Sequence, residues 1–421
     1  MYLVIFSIML FLLAVFNYGI AKTILYPPVI FSSFWAALLF ILALLGNMFY
    51  GVSHSALFIY LIGALAFSGG AIIPLMMKII KKPRSCNLKT IKNKYSDVII
   101  NIGLIASVFV FPYYCYELYR IASSSGFSNL WIGLRYEIVY GGASIGWLAY
   151  FVAFVGFLAV FSYIESENVK PKRIRSYILI VLSLLYTLLS MARTGAVVLI
   201  FMLLGVKLIL ERKISFKSIL ILVIIVFIVF AVPAVLLGKG GIIGNTLLEN
   251  VKGVLKFLMV YLLGGVVAFD NVVKNPGLFT DSRIATFRFF LAFLNRIGIG
   301  HYDLPKFVST VTYTPSPTNV YTIYYPYFLD YGYVGIFIFP FIIGFFSSIV
   351  FVNAYFKRGK ISTFLYGMVI AALLVSNSNE AFFATLSYWL QAGIFLFFVY
   401  KLPKLVESPA KDTKKLIRGR D

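Results

Sequence analysis

Five arginines in this chain could bind a phosphate group: Arg135, Arg193, Arg283, Arg288 and Arg296. A guanidinium group keeps its charge and donates paired hydrogen bonds that match two phosphate oxygens. An isolated arginine beside an apolar run is more often a headgroup anchor or an ion-pair partner. Arg193 differs, because it lies in Ser190–Gly195, a hairpin between two apolar runs with almost no loop. A charge in that place is costly, so we predict that Arg193 has a function.

The chain offers few residues for acid–base chemistry. The candidates are Glu137, Asp270, Asp281, His301, Asp303 and Asp330. Among them, His301, Glu137 and Asp330 all remain open as the general base. His301 would titrate near neutral pH, although an exposed loop histidine without a chemical role fits the sequence as well. Glu380 follows a polar stretch and could line a cavity or cap a turn. There is no Asp-x-Asp pair and no histidine cluster, so we predict no metal site and no cofactor.

Seven tyrosines lie between Tyr313 and Tyr333. The tyrosine ring is amphipathic, so such a segment is typical of the boundary between membrane and water. The faces of the rings would also suit stacking on sugars. The residues leave open whether this segment is an aromatic belt or part of a binding surface.

The elements that position these residues are membrane helices. Of the 421 residues, 61% are hydrophobic and only 12% are charged, about half the charged fraction of a soluble domain. The apolar residues form continuous runs of about 18 to 25, which cross a hydrocarbon core as helices. We predict an all-α, polytopic integral membrane protein with about eleven spans (ten to twelve), in one membrane domain over residues 1–421. The predicted spans are 1–19, 25–46, 54–77, 96–117, 144–163, 176–192, 194–210, 218–237, 331–356, 361–383 and 386–401.

Basic residues indicate how the chain is oriented. Of 37 lysines and arginines, 25 fall in five segments that share one side if the helices alternate. This is the positive-inside pattern, and it accounts for the net charge of +22 without nucleic acid as a partner. We therefore predict a basic cytoplasmic tail at 402–421 and an N-terminus outside the cytoplasm. The first apolar run has no basic region before it and no small-residue cleavage site after it, so we predict a retained first helix.

One large loop, 238–330, is predicted on the non-cytoplasmic side. Loops of this length are uncommon and usually functional. Within it, Glu249–Val273 has apolar residues at helical spacing opposite Lys252 and Lys256. We expect this amphipathic helix to lie at the membrane interface or to dip into the membrane.

The order of four segments resembles the O-antigen and oligosaccharide repeat-unit polymerases, the Wzy-type family. Ser190–Gly195 is similar to the serine/arginine hairpin of that family, and Arg135–Glu137 is similar to its arginine in an earlier outer loop. Gly264–Asp270 resembles the segment early in its large outer loop. Thr318–Thr322, with Tyr327 and Asp330–Gly335 after it, resembles the segment that opens a late helix. The likeness covers most of the chain in layout but only about 40 residues in motif.

The resemblance implies a polymerase in the bacterial inner (cytoplasmic) membrane with its active site on the periplasmic side. Its substrate would be an undecaprenyl-pyrophosphate-linked oligosaccharide, and its fold would be similar to that of the C-type glycosyltransferases, with metal-independent, inverting chemistry. The growing chain would leave its lipid pyrophosphate and join a new repeat unit. Membrane lipid and a chain-length regulator protein would be further partners.

The resemblance also implies roles for individual residues. The catalytic candidates are Arg193, Arg288, His301 and Glu137. The substrate-binding candidates are Arg135, Arg283, Arg296, Asn319, Tyr321, Tyr327 and Asp330. The arginines would hold the pyrophosphate, while Asn319 and Tyr321 would line the sugar site.

Three alternatives stay open at this point. The related O-antigen ligases carry a histidine near the position of Asn319, whereas this chain has Pro317 and Thr318 there, which favours a polymerase. A flippase or transporter of the same lipid is disfavoured by the large outer loop and by the few charges within the helices. A membrane scaffold without activity is the third alternative.

Overall fold

The structure is a computed structural model of the chain. It describes nine segments, which are 1–80, 94–167, 170–190, 193–212, 220, 224–232, 247–279, 285–304 and 310–401. Arg283 and the tail at 402–421 lie outside the described residues, as do parts of the predicted helix at 218–237 and of the predicted loop at 238–330.

The described residues are almost entirely helical. The helices are α1 (Tyr2–Ala21), α2 (Pro27–Leu44), α3 (His54–Ile80), α4 (Lys94–Ser124), α5 (Leu130–Val139), α6 (Trp147–Glu165), α7 (Lys170–Leu189), α8 (Arg193–Glu211), α9 (224–232), α10 (Leu247–Lys274), α11 (Arg288–Arg296), α12 (Tyr324–Lys357), α13 (Lys360–Leu374) and α14 (Leu386–Leu396). A two-stranded antiparallel hairpin pairs β1 (Thr312–Tyr313) with β2 (Pro317–Thr318).

Eight of the described helices are long and apolar enough to cross a membrane: α1, α2, α3, α4, α6, α8, α10 and α12. The chain at α13 and α14 forms shorter apolar helices. The expectation of an all-α, multi-pass membrane protein is therefore confirmed, because these helices can satisfy their backbone groups within a hydrocarbon core. The predicted total of eleven spans stays a prediction.

The chain forms two compact units. The first comprises Met1–Cys86 and Arg193–Leu386, and the second comprises Asn87–Ala192 and Ser387–Asp421. The first unit contains α1–α3 and α8–α13. The second contains α4–α7 and α14.

Several helices of the first unit carry basic residues at one end, which we call the basic end. The Arg212 guanidinium, just after α8, donates to the carbonyl of Tyr355 near the end of α12 and lies 4.4 Å from the centre of its ring. Leu75 of α3 shares a buried cluster with the same part of α12. The Tyr366 hydroxyl of α13 donates to the carbonyl of Leu25, just before α2, at 2.5 Å. Helices α3, α8 and α12 therefore end here, where α2 and α13 begin.

The opposite end of the first unit holds the start of α1 and of α3. The rings of Tyr2 and His54 lie 3.7 Å apart, and Asn17 of α1 donates to Ser68 of α3 at 2.9 Å further along. The two helices therefore run in the same direction. Tyr333 lines a groove with His54 and with the next two turns of α3, so the break in α12 lies at this end as well.

Close backbone contact joins α3 to α12. A β-carbon on Gly70 would lie 1.9 Å from the carbonyl oxygen of Phe341, and one on Gly344 would lie 2.0 Å from that of Phe67. Only glycine, which has no β-carbon, allows two helices to approach so closely. Such contacts are common in pairs of membrane helices.

Buried tyrosines hold the second unit together. The Tyr114 hydroxyl of α4 donates to the carbonyl of Tyr186 in α7 at 2.6 Å, and the Tyr186 hydroxyl donates to the carbonyl of Ser107 at 2.8 Å. Asp97, near the start of α4, pairs at 2.7 Å with Lys172 and with Arg175, near the start of α7. These contacts give α4 and α7 the same direction.

Several predicted helix boundaries were wrong. The α4 helix continues to Ser124 instead of ending at 117, and α7 begins at Lys170 instead of 176. The helix predicted at 361–383 ends at Leu374, because the polar stretch that follows turns and bonds to neighbouring segments. The helix predicted at 331–356 matches the part of α12 after a break at Gly332, whose φ of 57° and ψ of −141° suit glycine almost alone. A helical segment that begins at Tyr324 and was not predicted precedes this break.

The region predicted as one loop, 238–330, contains regular structure. Its described part holds α10, α11 and the hairpin β1–β2. The amphipathic pattern over Glu249–Val273 predicted the position of α10 correctly. Because α10 is also long and apolar enough to span, its relation to the membrane has to be argued from its contacts.

Candidate functional site

The residues after α13 form a loop, 375–385, that we call the polar loop. Its Ser376 carbonyl accepts a bond at 2.7 Å from the Ile323 amide, which lies just before α12. Its Asn377 side chain donates at 2.8 Å to the carbonyl of Leu262 in α10. A β-carbon on Gly265 would lie 2.2 Å from the Asn377 carbonyl oxygen, so α10 touches the loop backbone. The polar loop thus ties α10, α12 and α13 together at the opposite end of the first unit.

Glu380 organises the rest of the polar loop. Its side chain is 3% exposed and accepts hydrogen bonds from the backbone amides of Phe382, Phe383 and Ala384. It also accepts a bond at 2.6 Å from the hydroxyl of Tyr327. Burial raises the pKa of this carboxyl, and the four donors act in the other direction by favouring the charged form. Of the two roles that the sequence left open, Glu380 fills the turn-capping one.

Aromatic rings connect the polar loop to the start of α11. The Phe287 ring, one residue before α11, lies 6.0 Å from that of Phe383 and 5.8 Å from that of Phe339. The Tyr327 ring stacks on Phe339 at 4.7 Å. Tyr327 is fully buried and its hydroxyl donates to Glu380, so in this structure it holds the polar loop in place.

Asp330 holds the chain that leads into α11. Its carboxylate accepts hydrogen bonds from the amides of Ala285 at 3.0 Å and Thr286 at 2.7 Å. These bonds and the Phe287 packing fix Arg288, the first residue of α11. Arg288 is half-buried, and its loss of hydration lowers the pKa of its guanidinium. Asp330 thus fixes two residues just before α11, which gives its carboxylate a structural role.

Arg193 begins α8 and is half-buried against α10. Its guanidinium carbon lies 4.9 Å from the centre of the Phe257 ring, within the range of a cation–π interaction. The next residue, Thr194, lies within hydrogen-bond distance of the Tyr261 hydroxyl, at 3.2 Å. The α10 helix therefore joins the start of α8, with Arg193, to the same polar loop that supports the Arg288 segment.

The tyrosine-rich segment packs beside the polar loop. Tyr321 is 4% exposed, stacks on Tyr325 at 4.3 Å and donates its hydroxyl to the carbonyl of Thr310 at 2.5 Å. Asn271 of α10 donates at 2.9 Å to the Thr312 hydroxyl and so binds the hairpin. Asn319, directly after β2, is half-buried.

Arg296 and His301 share a small surface loop. The Asn295 side chain donates to the carbonyl of Tyr302 at 2.8 Å and accepts from its amide at 2.8 Å, which closes the chain between them. Both Arg296 and His301 are exposed. His301 is thus held by its loop without a described partner that would orient the imidazole.

Five of the predicted site residues are not joined to the polar loop by any described contact: Arg296 and His301, and the three that follow. Arg135 and Glu137 are half-buried in α5, which belongs to the second unit. Arg283 lies outside the described residues. Their predicted roles stay predictions.

Asp270 is a buried carboxylate at the same end of the first unit. Asp270 is 1% exposed and accepts bonds from the amide and hydroxyl of Ser53, just before α3. Its other oxygen lies 2.6 Å from the Lys274 ammonium, one turn further along α10. The i,i+4 spacing of Asp270 and Lys274 signals the ion pair, but nothing in the sequence points to Ser53.

Arginines and carboxylates are the candidate reactive groups described at this end of the first unit. Among the described residues, no group of three or more His, Cys, Asp or Glu side chains could hold a metal ion. The carboxylates at this end, Asp270, Asp330 and Glu380, each bind donors of the protein itself. Two half-buried arginines, Arg193 and Arg288, lie on segments that these carboxylates and aromatic rings fix in place.

Comparison with known proteins adds no identity. No family model, curated protein or solved structure matches the chain.

Proposed function

We propose that this chain is a polymerase that joins undecaprenyl-pyrophosphate-linked oligosaccharide repeat units into O-antigen or capsular polysaccharide at the periplasmic face of a bacterial inner membrane. The growing chain is transferred from its lipid pyrophosphate to a new repeat unit. The C1–oxygen bond to the pyrophosphate breaks, a new glycosidic bond forms, and the acceptor hydroxyl loses its proton to a base.

One observation supports this proposal above the others. The polar loop, together with α10, joins the segments that carry Arg193, Arg288 and the tyrosine cluster, and it does so opposite the basic end of the first unit. By the positive-inside rule the basic end faces the cytoplasm, so the arginines face the periplasm, where lipid-linked donors are available. Fixed guanidinium groups there would stabilise the charge that develops on the departing pyrophosphate.

Residues take the following roles in the proposal. Arg193 and Arg288 bind the pyrophosphate, and Asn319 lies beside the sugar. Asp330 positions Arg288 through the amides of Ala285 and Thr286. The general base remains one of His301, Glu137 and Asp330. Asp330 is the least suited of the three as it stands, because its carboxylate already accepts two backbone bonds.

The test is reconstitution with a matched pair of arginine variants. Purified protein and lipid-linked repeat units, without nucleotide or added metal, should give a ladder of chain lengths. Arg193→Lys should lower the rate about 100-fold or more, the usual cost of losing one transition-state donor. Arg212→Lys is the control, because Arg212 also lies over an aromatic ring, at 4.4 Å from that of Tyr355, but at the basic end.

Three outcomes would contradict the proposal. Equal activity of the Arg193→Lys and Arg212→Lys proteins would remove the anion-binding role. A single product on a different acceptor would indicate a ligase. Movement of the lipid-linked sugar between leaflets without a new glycosidic bond would indicate a flippase.

A further inference from the structure

The α10 helix is apolar enough to cross the membrane, but its contacts follow one end of the first unit. Its Asp270 meets Ser53 just before α3, and its Leu262 meets Asn377 just after α13. Its Phe257 meets Arg193 at the start of α8. Residues 257 and 270 are about 20 Å apart along a helix. Over that length α10 touches the opposite-end termini of three helices, as expected of a helix that lies across their ends.

The first half of α10 has three distinct faces. At 100° per residue, Val254, Phe257 and Tyr261 fall within about 60° of one another. All three pack inward: Val254 is buried against Phe227 and Ala231, and the Tyr261 ring lies 4.7 Å from that of Phe230.

The other two faces of this half are exposed and differ in chemistry. Val251 and Leu255 are 39% and 42% exposed and share an apolar face. Lys252 and Lys256 are also exposed, and they share a charged face with Glu249 about 100° further around the helix. A helix buried on one side, apolar on a second and charged on a third fits the boundary between lipid and water.

The second half of α10 is different, because residues from Leu263 to Asp270 are buried on every side. This half is docked in protein by the Val266 carbonyl, which accepts from the Tyr60 hydroxyl at 3.0 Å, and by the Asp270 contacts. Its high hydropathy therefore reflects burial in protein and does not require a membrane crossing.

We propose that the first half of α10 lies in the plane of the membrane interface and binds the phosphate groups of anionic phospholipids through Lys252 and Lys256. The apolar face with Val251 and Leu255 enters the acyl region. Arg193 of α8 packs against the buried face of the same half, beside Phe257, and adds to the local positive potential. The partner is an anionic lipid surface, and this inference does not depend on the proposed enzymatic activity.

The first test measures depth. In a Cys86→Ser, Cys115→Ser background, spin labels are placed at Lys256→Cys, Leu255→Cys and Leu65→Cys in liposomes. Leu65 is the control, because it is 49% exposed on the middle of α3, a spanning helix. We expect the label at 256 to be accessible to a water-soluble relaxation agent and the label at 255 to be shallow, with the label at 65 deep. Labels at 255 and 65 at the same depth would overturn the interfacial position.

The second test measures lipid binding. The protein in detergent is titrated with phosphatidylglycerol or phosphatidylcholine, without lipid-linked sugar, and bound lipid is counted by native mass spectrometry. Each lysine near an anionic surface contributes about fivefold to affinity, so Lys252→Gln with Lys256→Gln should weaken phosphatidylglycerol binding roughly 30-fold. The charge-preserving Lys252→Arg, Lys256→Arg protein should bind as the wild type does. Unchanged binding in the glutamine variant, or equal loss in the arginine variant, would refute the proposal.

Discussion

A single β-carbon at Gly265 tests whether α10 is docked on the polar loop as described. In Gly265→Ala that carbon would lie 2.2 Å from the Asn377 carbonyl oxygen, which is backbone and cannot rotate away. Overpacking of this kind costs about 1–3 kcal/mol. Displacing the loop also weakens the Asn377–Leu262 hydrogen bond, about 1 kcal/mol. Alanine returns about 1 kcal/mol through helix propensity. The net loss of stability should be about 1–3 kcal/mol.

The neighbouring glycine supplies a matched control. In Gly264→Ala the nearest atoms to the new carbon would be the Thr314 hydroxyl oxygen at 3.5 Å and Val260 at 3.6 Å, which are ordinary contacts. This variant should be as stable as the wild type or slightly more so. The assay is thermal unfolding of the purified proteins in one detergent, with limited proteolysis after Lys252 and Lys256 as a local reading of α10. If Gly265→Ala were as stable as Gly264→Ala, the described contact between α10 and the polar loop would be wrong.

Two further perturbations test the segments around the site. Gly332→Ala should destabilise the protein by about 1–3 kcal/mol in thermal unfolding, because φ is 57° at this position. The new carbon would touch nothing within 4 Å, so the cost is backbone strain alone. Gly69→Ala, whose nearest contact is 4.0 Å, is the control and should lose no stability. The pKa of Glu380 is raised from 4.5 by burial, so the folded state binds its proton more tightly than the unfolded state. Its contribution to stability is therefore full below pH 4.5 and is lost as pH rises through the higher folded-state pKa. Glu380→Gln should flatten this part of the curve of melting temperature against pH. An unchanged curve would contradict a raised pKa for Glu380.

Helix positions were predictable from the sequence wherever one run of apolar residues was sufficient. The helices α1, α2, α3 and α6 begin and end within a few residues of the predicted ranges, because each must satisfy its backbone groups within itself. The same rule failed at α13, where the predicted span included the polar residues 376–380, whose groups bond to other segments. Such long-range bonds leave no local pattern.

The candidate site was predictable in its residue types and much less so in its contacts. Arg193 stands out by its position between two apolar runs, and the structure places it at a helix start against Phe257. The support of Arg288 could not be foreseen, because Asp330 and Phe383 lie 42 and 95 residues away along the chain. One usable signal was present: Gly264 and Gly265 lie inside a helix, where glycine is unfavourable unless another segment approaches closely.

The way the first unit is divided along the chain has a consequence for biosynthesis. Gly70 of α3 meets Phe341 of α12, and the second unit's helices α4–α7 are encoded between them. At about 5–20 residues per second, roughly 15–55 s separate the synthesis of these two surfaces. During that interval the glycine-lined side of α3 must rest against lipid or a membrane chaperone. Early release from the insertion machinery would leave a half-built bundle, so assembly should respond sharply to translation speed in the stretch between α7 and α12.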